Sequence, residues 1–404
     1  MTPTRSNWTG IAFGLALACV AAYHQFKLPP ALPVLLETYR YDRTLAGAFM
    51  SVYAVAGLIL SWLLGRTLAR TGLALPTLGA LALTVLGSAL TLMRPESGWV
   101  VLAGRALEGV GFAVLAISGP VLANANASVR HLPIVVGMTA SWIPIGQLAA
   151  TALAPLAFAW QGWQTLWVAA IAAALVMAAW TLRLWAAGTL DLPAGSPAPA
   201  EVPRAAMSAV QRRNLILASG VFMLWACQYF AYMTWLPQYL VEAHGLPVSM
   251  AMIGYVIPVA MLIATNFVVG MVLRAGVPVG PLLTCGLAAQ AAIWWLAPIT
   301  GGGAAGLASL VVYGIGAGIC PTCLFALPSV VVGPGRTAAA AFGVIMTGRN
   351  LGVLVGPILL AQAFKLAGGW NVAGPTFGTV TGVALALGVW LTASLAGARY
   401  GTSR

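Results

Sequence analysis

The sequence predicts an all-α membrane protein with twelve transmembrane helices. Of its 404 residues, 61% are hydrophobic and only 6% are charged, whereas a soluble domain carries about 25% charged residues. The apolar residues form long unbroken runs rather than short alternating segments, and this pattern favours helices over a β-barrel. At about 20 residues per helical span, a chain of this length accommodates about twelve spans.

The apolar runs between charges and turn residues define the predicted spans. The first six cover 9–36, 45–65, 74–93, 99–125, 133–158 and 163–186, and the last six cover 214–240, 249–272, 278–298, 304–330, 338–364 and 373–396. One long polar stretch, which contains Pro-Ala-Gly-Ser-Pro-Ala-Pro-Ala, separates the two sets and has the composition of a flexible or extended linker. We therefore predict a six-helix bundle over 1–187, a cytoplasmic linker over 188–213 and a second six-helix bundle over 214–404.

The positive charges predict the orientation. With the N-terminus in the cytoplasm, twelve arginines fall on the inside and four positive residues fall outside. The inside set is Arg5, Arg66, Arg70, Arg130, Arg183, Arg204, Arg212, Arg213, Arg274, Arg336, Arg399 and Arg404, and the outside set is Arg40, Arg43, Arg94 and Lys365. We expect a multi-pass protein of a bacterial inner membrane with both termini in the cytoplasm. The net charge of +12 is scattered between spans, so we expect no nucleic-acid partner.

The two halves contain a weak internal repeat. The link after the second span reads Gly65-Arg-Thr-Leu-Ala-Arg70-Thr-Gly72, and the link after the eighth reads Gly270-Met-Val-Leu-Arg274-Ala-Gly276. Each combines glycines with a positive charge in a short turn. Parallel repeats of this kind are typical of transporters that alternate between two states around a site at the bilayer midplane.

These links, together with the fourth span, resemble the major facilitator superfamily. That family carries Gly-x-x-x-Asp-Arg-x-Gly after its second helix, and here Gly65, Arg70 and Gly72 match, while Ala69 replaces the acid. The resemblance implies that these residues belong to a cytoplasmic gate, and that the charge pairing of the gate is weaker without the acid.

The fourth span adds a second motif of the same family. It reads Arg105-Ala-Leu-Glu108-Gly-Val-Gly111, which is similar to Arg-x-x-Gln-Gly-x-Gly with an acid in place of the amide. The Gly-Pro pair that proton-antiporting drug exporters carry in their fifth helix is replaced by Ala-Pro155. The resemblance covers nearly the whole chain and implies a secondary transporter that works by alternating access, with no enzyme activity.

Four charged residues lie within the predicted spans, where each charge costs at least about 2.5–3.5 kcal/mol unless it has a partner or a purpose. They are Lys27, Arg105, Glu108 and Arg349. Arg105 and Glu108 are three residues apart and share a helix face. They form either a structural pair or a proton site in which Glu108 titrates. Arg349 has no acid in its own span, and its planar guanidinium suits an oxyanion.

Other polar side chains are candidates for the same cavity. In the first span, His24 lies three residues from Lys27, with Tyr23 beside it; His24 is either a proton carrier or simply hydrogen-bonded, and Lys27 either binds substrate or extends to the outer interface. Asn350 follows Arg349 in the chain. Further candidates for substrate contacts are Gln228 and Tyr232 in the seventh span, Tyr53 in the second and Trp142 in the fifth.

The excess of cations over acids predicts an anionic substrate. We expect a monomeric transporter for a small anion, with proton-coupled uptake, in which Arg349 and Lys27 bind the anion from opposite halves and Glu108, Arg105 and His24 handle the proton. A proton-coupled exporter of drugs or metabolites and a non-transporting sensor remain alternatives.

A copper transporter is the third alternative, because Cys320-Pro-Thr-Cys323 offers soft thiolates. We predict no resident metal and no cofactor. The sequence contains no Gly-x-x-x-x-Gly-Lys-Ser/Thr phosphate-binding loop, so we expect an ion or substrate gradient as the energy source.

Overall fold

A computed structural model describes most of the chain. It covers residues 5–71, 73–128, 130–131, 134–135, 138–139, 141–188, 207–296, 303–332 and 339–401, and among these it leaves out the side chains of 60–71, 296, 339–340 and 398–401. Two compact units divide the chain at Met1–Val202 and Pro203–Arg404. Within the described residues every regular element is helical.

Seven helices of the first unit have described bounds. They are α1 (Trp8–Phe26), α2 (Leu28–Tyr39), α3 (Arg43–Thr71), α4 (Ala74–Met93), α5 (Gly98–Ala125), α6 (Trp142–Trp160) and α7 (Gln164–Ala186). In the described part of the second unit there are six α-helices and a short 3₁₀ helix. They are α8 (Ala209–His244), α9 (Val248–Arg274), α10 (Val279–Leu296), α11 (Ala304–Val332), α12 (Ala339–Ala367), the 3₁₀ helix Trp370–Val372 and α13 (Ala373–Gly401).

The helices confirm the predicted membrane architecture. In the described part of the chain, ten stretches are long and apolar enough to cross a membrane, with α1 and α2 together forming one of them. Two further apolar helices, Arg43–Ile59 and Val279–Trp295, are shorter within that part. These twelve correspond to the twelve predicted spans, so the chain is a multi-pass, all-α membrane protein.

The first predicted span requires a correction, because it consists of two helices rather than one. The helix is interrupted at Lys27, between α1 and α2. Pro29 and Pro30 have no N–H group to bond the carbonyls of Gln25 and Phe26, so the α-helical hydrogen-bond ladder cannot continue through this point. The break leaves backbone carbonyls that need other donors in the middle of the unit.

The start of the second unit also differs from the predicted boundary. The predicted linker ends at 213, whereas α8 begins at Ala209. Ser208 explains this start, because its side chain accepts a hydrogen bond from the backbone N–H of Gln211, while the Gln211 side chain accepts one from the backbone N–H of Ser208. This reciprocal pair is a capping box. Residues 189–206 of the predicted linker lie outside the described residues.

The same pairs of helices pack together in both units. In the first unit α6 packs on α1, α3 on α5, α4 on α7, and α4 on α5. In the second unit the corresponding pairs are α12 on α8, α9 on α11, α10 on α13, and α10 on α11. The weak repeat in the sequence therefore has a counterpart in the packing of each unit.

Glycines allow the closest of these helix contacts. A Cβ atom built on Gly348, Gly352 or Gly356 of α12 would collide with backbone carbonyl oxygens of α8. In the first unit, a Cβ on Gly146 of α6 would meet the carbonyl oxygen of Cys19 on α1. Small residues at such seams allow helices in a membrane to approach closely.

Candidate functional site

A buried carboxylate lies at the centre of the first unit. Glu108 on α5 is fully buried, and its two oxygens have four side-chain partners. Lys27 Nζ lies 2.7 Å from Oε1, and the Ser88 hydroxyl donates to the same oxygen at 2.5 Å. Arg105 donates to Oε2 at 2.6 Å, as does the Tyr53 hydroxyl at 2.6 Å. These five residues and His24 are called the Glu108 cluster below.

Four parts of the chain bring the cluster together. Lys27 is at the break between α1 and α2, Tyr53 is on α3, Ser88 is on α4, and α5 supplies the pair that is three residues apart. The approach of α4 to α5 depends on Gly87, because a Cβ there would lie 2.8 Å from Cγ of Glu108. A small residue beside Ser88 therefore allows its hydroxyl to reach the carboxylate.

Arg105 also bonds the backbone at the helix break. Its guanidinium donates to the carbonyl oxygens of His24 and Gln25, each at 2.8 Å, and to that of Phe49 at 3.2 Å. The Gln25 carbonyl is one of those that the proline pair leaves without a helical donor. The guanidinium also lies 4.3 Å from the centre of the Tyr53 ring, which adds a cation–π contact. Arg105 therefore stabilises the break as well as the carboxylate.

Lys27 and His24 complete the cluster. Lys27 donates to the Ser88 hydroxyl at 2.7 Å and lies 4.9 Å from the centre of the Trp167 ring. His24 Nδ1 is 3.5 Å from Lys27 Nζ and 4.0 Å from Glu108 Oε1. The other ring nitrogen of His24, Nε2, is buried and has no hydrogen-bond partner among the described residues. With Glu108 ionised and His24 neutral, two cations face one carboxylate, so the cluster has a net charge of +1.

The structure joins residues that the sequence prediction kept apart. The sequence predicts that Lys27 binds substrate and that Glu108, Arg105 and His24 carry the proton. In the structure, however, Lys27 forms an ion pair with Glu108. Tyr53, predicted as a substrate contact, also binds this carboxylate. Ser88 was not predicted; its position after a glycine within an apolar span was the only signal, because a contact across 20 residues depends on helix packing.

The two other predicted substrate contacts of the first unit lie beside the cluster. The Tyr23 hydroxyl donates to the carbonyl oxygen of Leu166 at 3.1 Å. The Trp142 ring packs against Phe112, with ring centres 5.7 Å apart, and Phe112 in turn packs edge-on against Tyr53 at 5.5 Å. Tyr23 and Trp142 therefore lie near the Glu108 cluster, but neither forms a hydrogen bond with its carboxylate.

Arg349 is the main charged group within the second unit. It lies on α12 and retains only 8% of its accessible surface. Its guanidinium donates to the side-chain oxygen of Asn350 at 3.0 Å and lies 5.3 Å from the centre of the Phe230 ring. Within the part of the chain that the structure describes, no carboxylate forms an ion pair with Arg349. The side chain is thus a buried cation without an acidic partner there.

The predicted substrate contacts on α8, Gln228 and Tyr232, form a polar stripe that lies in a different environment. Gln228 donates to the Tyr313 hydroxyl at 2.9 Å, and its amide oxygen is buried without a described partner. The Tyr232 ring packs edge-on against Tyr313, Trp294 and Phe377. Among the described residues no hydrogen bond or ring contact links this stripe to Arg349, whose guanidinium lies over the neighbouring Phe230 ring.

A cavity of about 670 Å³ opens beside the Tyr232 end of the stripe. Its described lining comes from the ends of α8, α10 and α12, the starts of α9, α11 and α13, and the 3₁₀ helix. Six aromatic rings contribute to it, those of Tyr232, Trp235, Tyr239, Trp294, Trp370 and Phe377. None of the described lining residues is Asp, Glu, Lys or Arg. Tyr232 is among the predicted cavity residues, whereas most of the lining has no local signal in the sequence, because it comes from six α-helices and the 3₁₀ helix.

The cysteines give no metal site within the described residues. Cys320 and Cys323 are buried on α11, and the Cys320 thiol is 3.9 Å from the side-chain oxygen of Gln290. In the part of the chain that was searched, no group of three or more His, Cys, Asp or Glu side chains could hold a metal ion. The copper alternative therefore gains no support from these residues.

The predicted gate residues lie at the edge of the described chain. Gly65 and Arg70 belong to α3, but their side chains are outside the described residues, as is Gly72 altogether. Their role as a cytoplasmic gate stays a prediction.

Similarity to a known protein family identifies the family of this chain. No curated protein sequence matches it. The family model described as Major Facilitator Superfamily matches residues 11–357, which is most of the chain and includes both motifs noted above. This match agrees with the twelve membrane helices and the repeated packing of the two units. The chain belongs to the Major Facilitator Superfamily, a family of secondary transporters.

Proposed function

We propose that this transporter carries a small anion and that Arg349 binds it. The observation that carries the proposal is a buried guanidinium that has no acidic partner within the described chain and donates a hydrogen bond there only to the Asn350 amide oxygen. A buried charge without an opposite charge is costly. An anionic ligand offsets this cost, and a guanidinium can hold a carboxylate or a similar oxyanion with two parallel hydrogen bonds.

We infer that Glu108 couples transport to protons. Protonation of Glu108 would raise the net charge of the Glu108 cluster from +1 to +2 and would release Lys27 from its ion pair. Lys27 would then attract an anion, and a nearby anion would in turn favour the protonated cluster by thermodynamic linkage. His24 suits proton transfer, because one ring nitrogen lies beside the carboxylate and the other has no described partner. This linkage favours proton-driven uptake, with Arg349 and Lys27 as the two cations.

The setting of this activity is also part of the proposal. The arginine distribution supports cytoplasmic termini, and the family supports a membrane-embedded transporter for a small solute. We infer a monomer in a bacterial inner membrane, with a cytoplasmic gate at Gly65, Arg70 and Gly72.

The anion site can be tested with purified, full-length protein. Thermal shifts with the sodium salts of formate, acetate, nitrate and benzoate identify the most stabilising anion, and uptake of that anion is then measured in proteoliposomes. Arg349→Ala is expected to weaken its binding by about tenfold or more, because a charge-assisted contact contributes about 1.5–3 kcal/mol. Arg274→Ala, which removes an exposed arginine at the end of α9, serves as the control for lost charge.

Three results would contradict parts of the proposal. Stabilisation by none of the anions, or unchanged affinity in Arg349→Ala, would remove the anion site. Binding without uptake would favour the sensor alternative. For the proton step, Glu108→Gln is expected to keep anion exchange but to lose its response to a pH gradient, measured with a pH dye inside the vesicles; a retained response would exclude Glu108 as the coupling group.

A further inference from the structure

The cavity of the second unit is separate from Arg349. Along α12, the lining residue Leu360 lies eleven positions beyond Arg349, which is about 16 Å, or three helical turns. Along α8 the lining extends from Tyr232 to His244, which is about 18 Å of helix. Its volume of about 670 Å³ is within the range of sites that bind drug-sized molecules.

The chemistry of the lining selects an uncharged ligand. The described lining contains neither an acid nor a basic side chain other than His244. The Glu242 carboxylate beside it is exposed and already accepts a hydrogen bond from Trp370 Nε1 at 2.8 Å, so a charged ligand inside the cavity would lose its hydration without a buried opposite charge. Six aromatic rings contribute to the lining, and they suit a flat or aromatic molecule. At one side the lining includes exposed apolar residues, Met250, Ile253 and Leu307. A lipophilic molecule could enter past them.

The lining offers three hydrogen-bond donors, of which one is buried and unpaired. The hydroxyls of Tyr232 and Tyr239 belong to half-buried side chains. Trp294 is 4% exposed, and its Nε1 donor is buried without a described partner. All three groups can donate a hydrogen bond. A buried donor that remains unpaired costs about 1–3 kcal/mol, so a ligand with an acceptor atom would relieve this cost.

We propose that this cavity binds an uncharged, aromatic or similarly lipophilic molecule that carries a hydrogen-bond acceptor such as a carbonyl oxygen. The site is distinct from the proposed anion site, and its existence does not depend on Arg349 or on proton coupling. A transporter with both sites would bind two chemical classes at different depths of the second unit.

Photolabelling with benzophenone tests the proposal, because this probe is an uncharged aromatic ketone that forms covalent links on illumination. The full-length protein is labelled, and the modified peptides are located by mass spectrometry. We expect modification within 232–246 and 303–310. The anion 4-benzoylbenzoate has the same photoreactive core plus a carboxylate, and we expect it to avoid the cavity.

Variants separate a specific site from general partition into detergent. Ile253→Trp places a large ring at the mouth of the cavity and is expected to suppress labelling there, whereas Val268→Trp, at another exposed position of α9, is expected to leave it unchanged. Tyr232→Phe combined with Tyr239→Phe keeps both rings and is expected to weaken benzophenone binding about two- to tenfold. The same pair should leave the binding of diphenylmethane, which lacks the carbonyl, unchanged.

Several outcomes would overturn the proposal. Labelling scattered over exposed apolar residues and insensitive to Ile253→Trp would exclude a specific site. Equal labelling of the cavity by 4-benzoylbenzoate would exclude the selection against charge. A phospholipid retained by the wild-type protein in native mass spectrometry and lost in Ile253→Trp, with no benzophenone labelling, would assign the cavity to a lipid acyl chain. Each of these results leaves the test of Arg349 unaffected, so the two proposals fail independently.

Discussion

The interiors of the two units use the same helix packing but opposite polar chemistry. At the centre of the first unit, the carboxylate of Glu108 is surrounded by Lys27, Arg105, Tyr53 and Ser88 at 2.5–2.7 Å. In the second unit, the described interior holds one cation, Arg349, without an acidic partner, and an aromatic cavity. A repeated fold therefore does not determine where buried charge is compensated.

The two arrangements have opposite consequences for stability. In the Glu108 cluster each charge is compensated by its neighbours, so removal of one charge leaves others buried without a partner. Arg349 has no such neighbour within the described chain, so its removal takes away a cost and breaks the bond to Asn350 and the contact with the Phe230 ring. We therefore expect loss of a charge from the Glu108 cluster to lower stability as well as to affect transport, and loss of the Arg349 charge to affect ligand binding without lowering stability.

The largest expected effect comes from loss of the central carboxylate. Glu108→Ala is expected to destabilise the protein by about 3–5 kcal/mol, because it leaves Lys27 and Arg105 buried without a counter-charge. Arg349→Met is expected to leave stability unchanged or to raise it. Thermal unfolding and reversible unfolding in mixed micelles measure both. If Arg349→Met is as destabilising as Glu108→Ala, the contrast between the units is wrong.

A smaller loss of stability is expected from substitutions at the close helix contacts that occur in both units. Gly352→Leu in the second unit and Gly146→Leu in the first each place a side chain against the backbone of the facing helix, and each is expected to cost about 1–3 kcal/mol or more. Gly343→Ala is the matched control on α12, because nothing lies within 4 Å of the added Cβ. It should raise stability by up to about 1 kcal/mol. A large loss in one seam and none in the other would argue against equivalent packing.

The smallest effect compares two buried tyrosine hydroxyls. Tyr53→Phe removes a hydrogen bond to the Glu108 carboxylate and is expected to cost about 1.5–3 kcal/mol, because the acceptor is charged. Tyr313→Phe removes the neutral acceptor of Gln228 and is expected to cost about 0.5–1.5 kcal/mol. Unfolding free energies of the two variants decide the order. Equal losses would indicate that the carboxylate is not the stronger partner.

The functional residues were only partly predictable from sequence. The face shared by Arg105 and Glu108 follows from helical periodicity, and the isolation of Arg349 from acids follows from a count within its span. The ion pair between Lys27 and Glu108 joins residues 81 positions apart. No local pattern encodes such a pair, because it depends on the break that Pro29 and Pro30 introduce and on the packing of α1 against α5.

By itself the sequence determined the membrane environment, the twelve spans, the division into two halves and the presence of charge within the bilayer. These features are local, since they depend on the apolar content of each segment and on its length. The tertiary structure alone decided that Lys27 compensates Glu108, that Arg105 bonds carbonyls at the helix break, and that six aromatic rings line a cavity in the second unit. These contacts join distant segments, and helix packing selects them from many pairings that the composition allows.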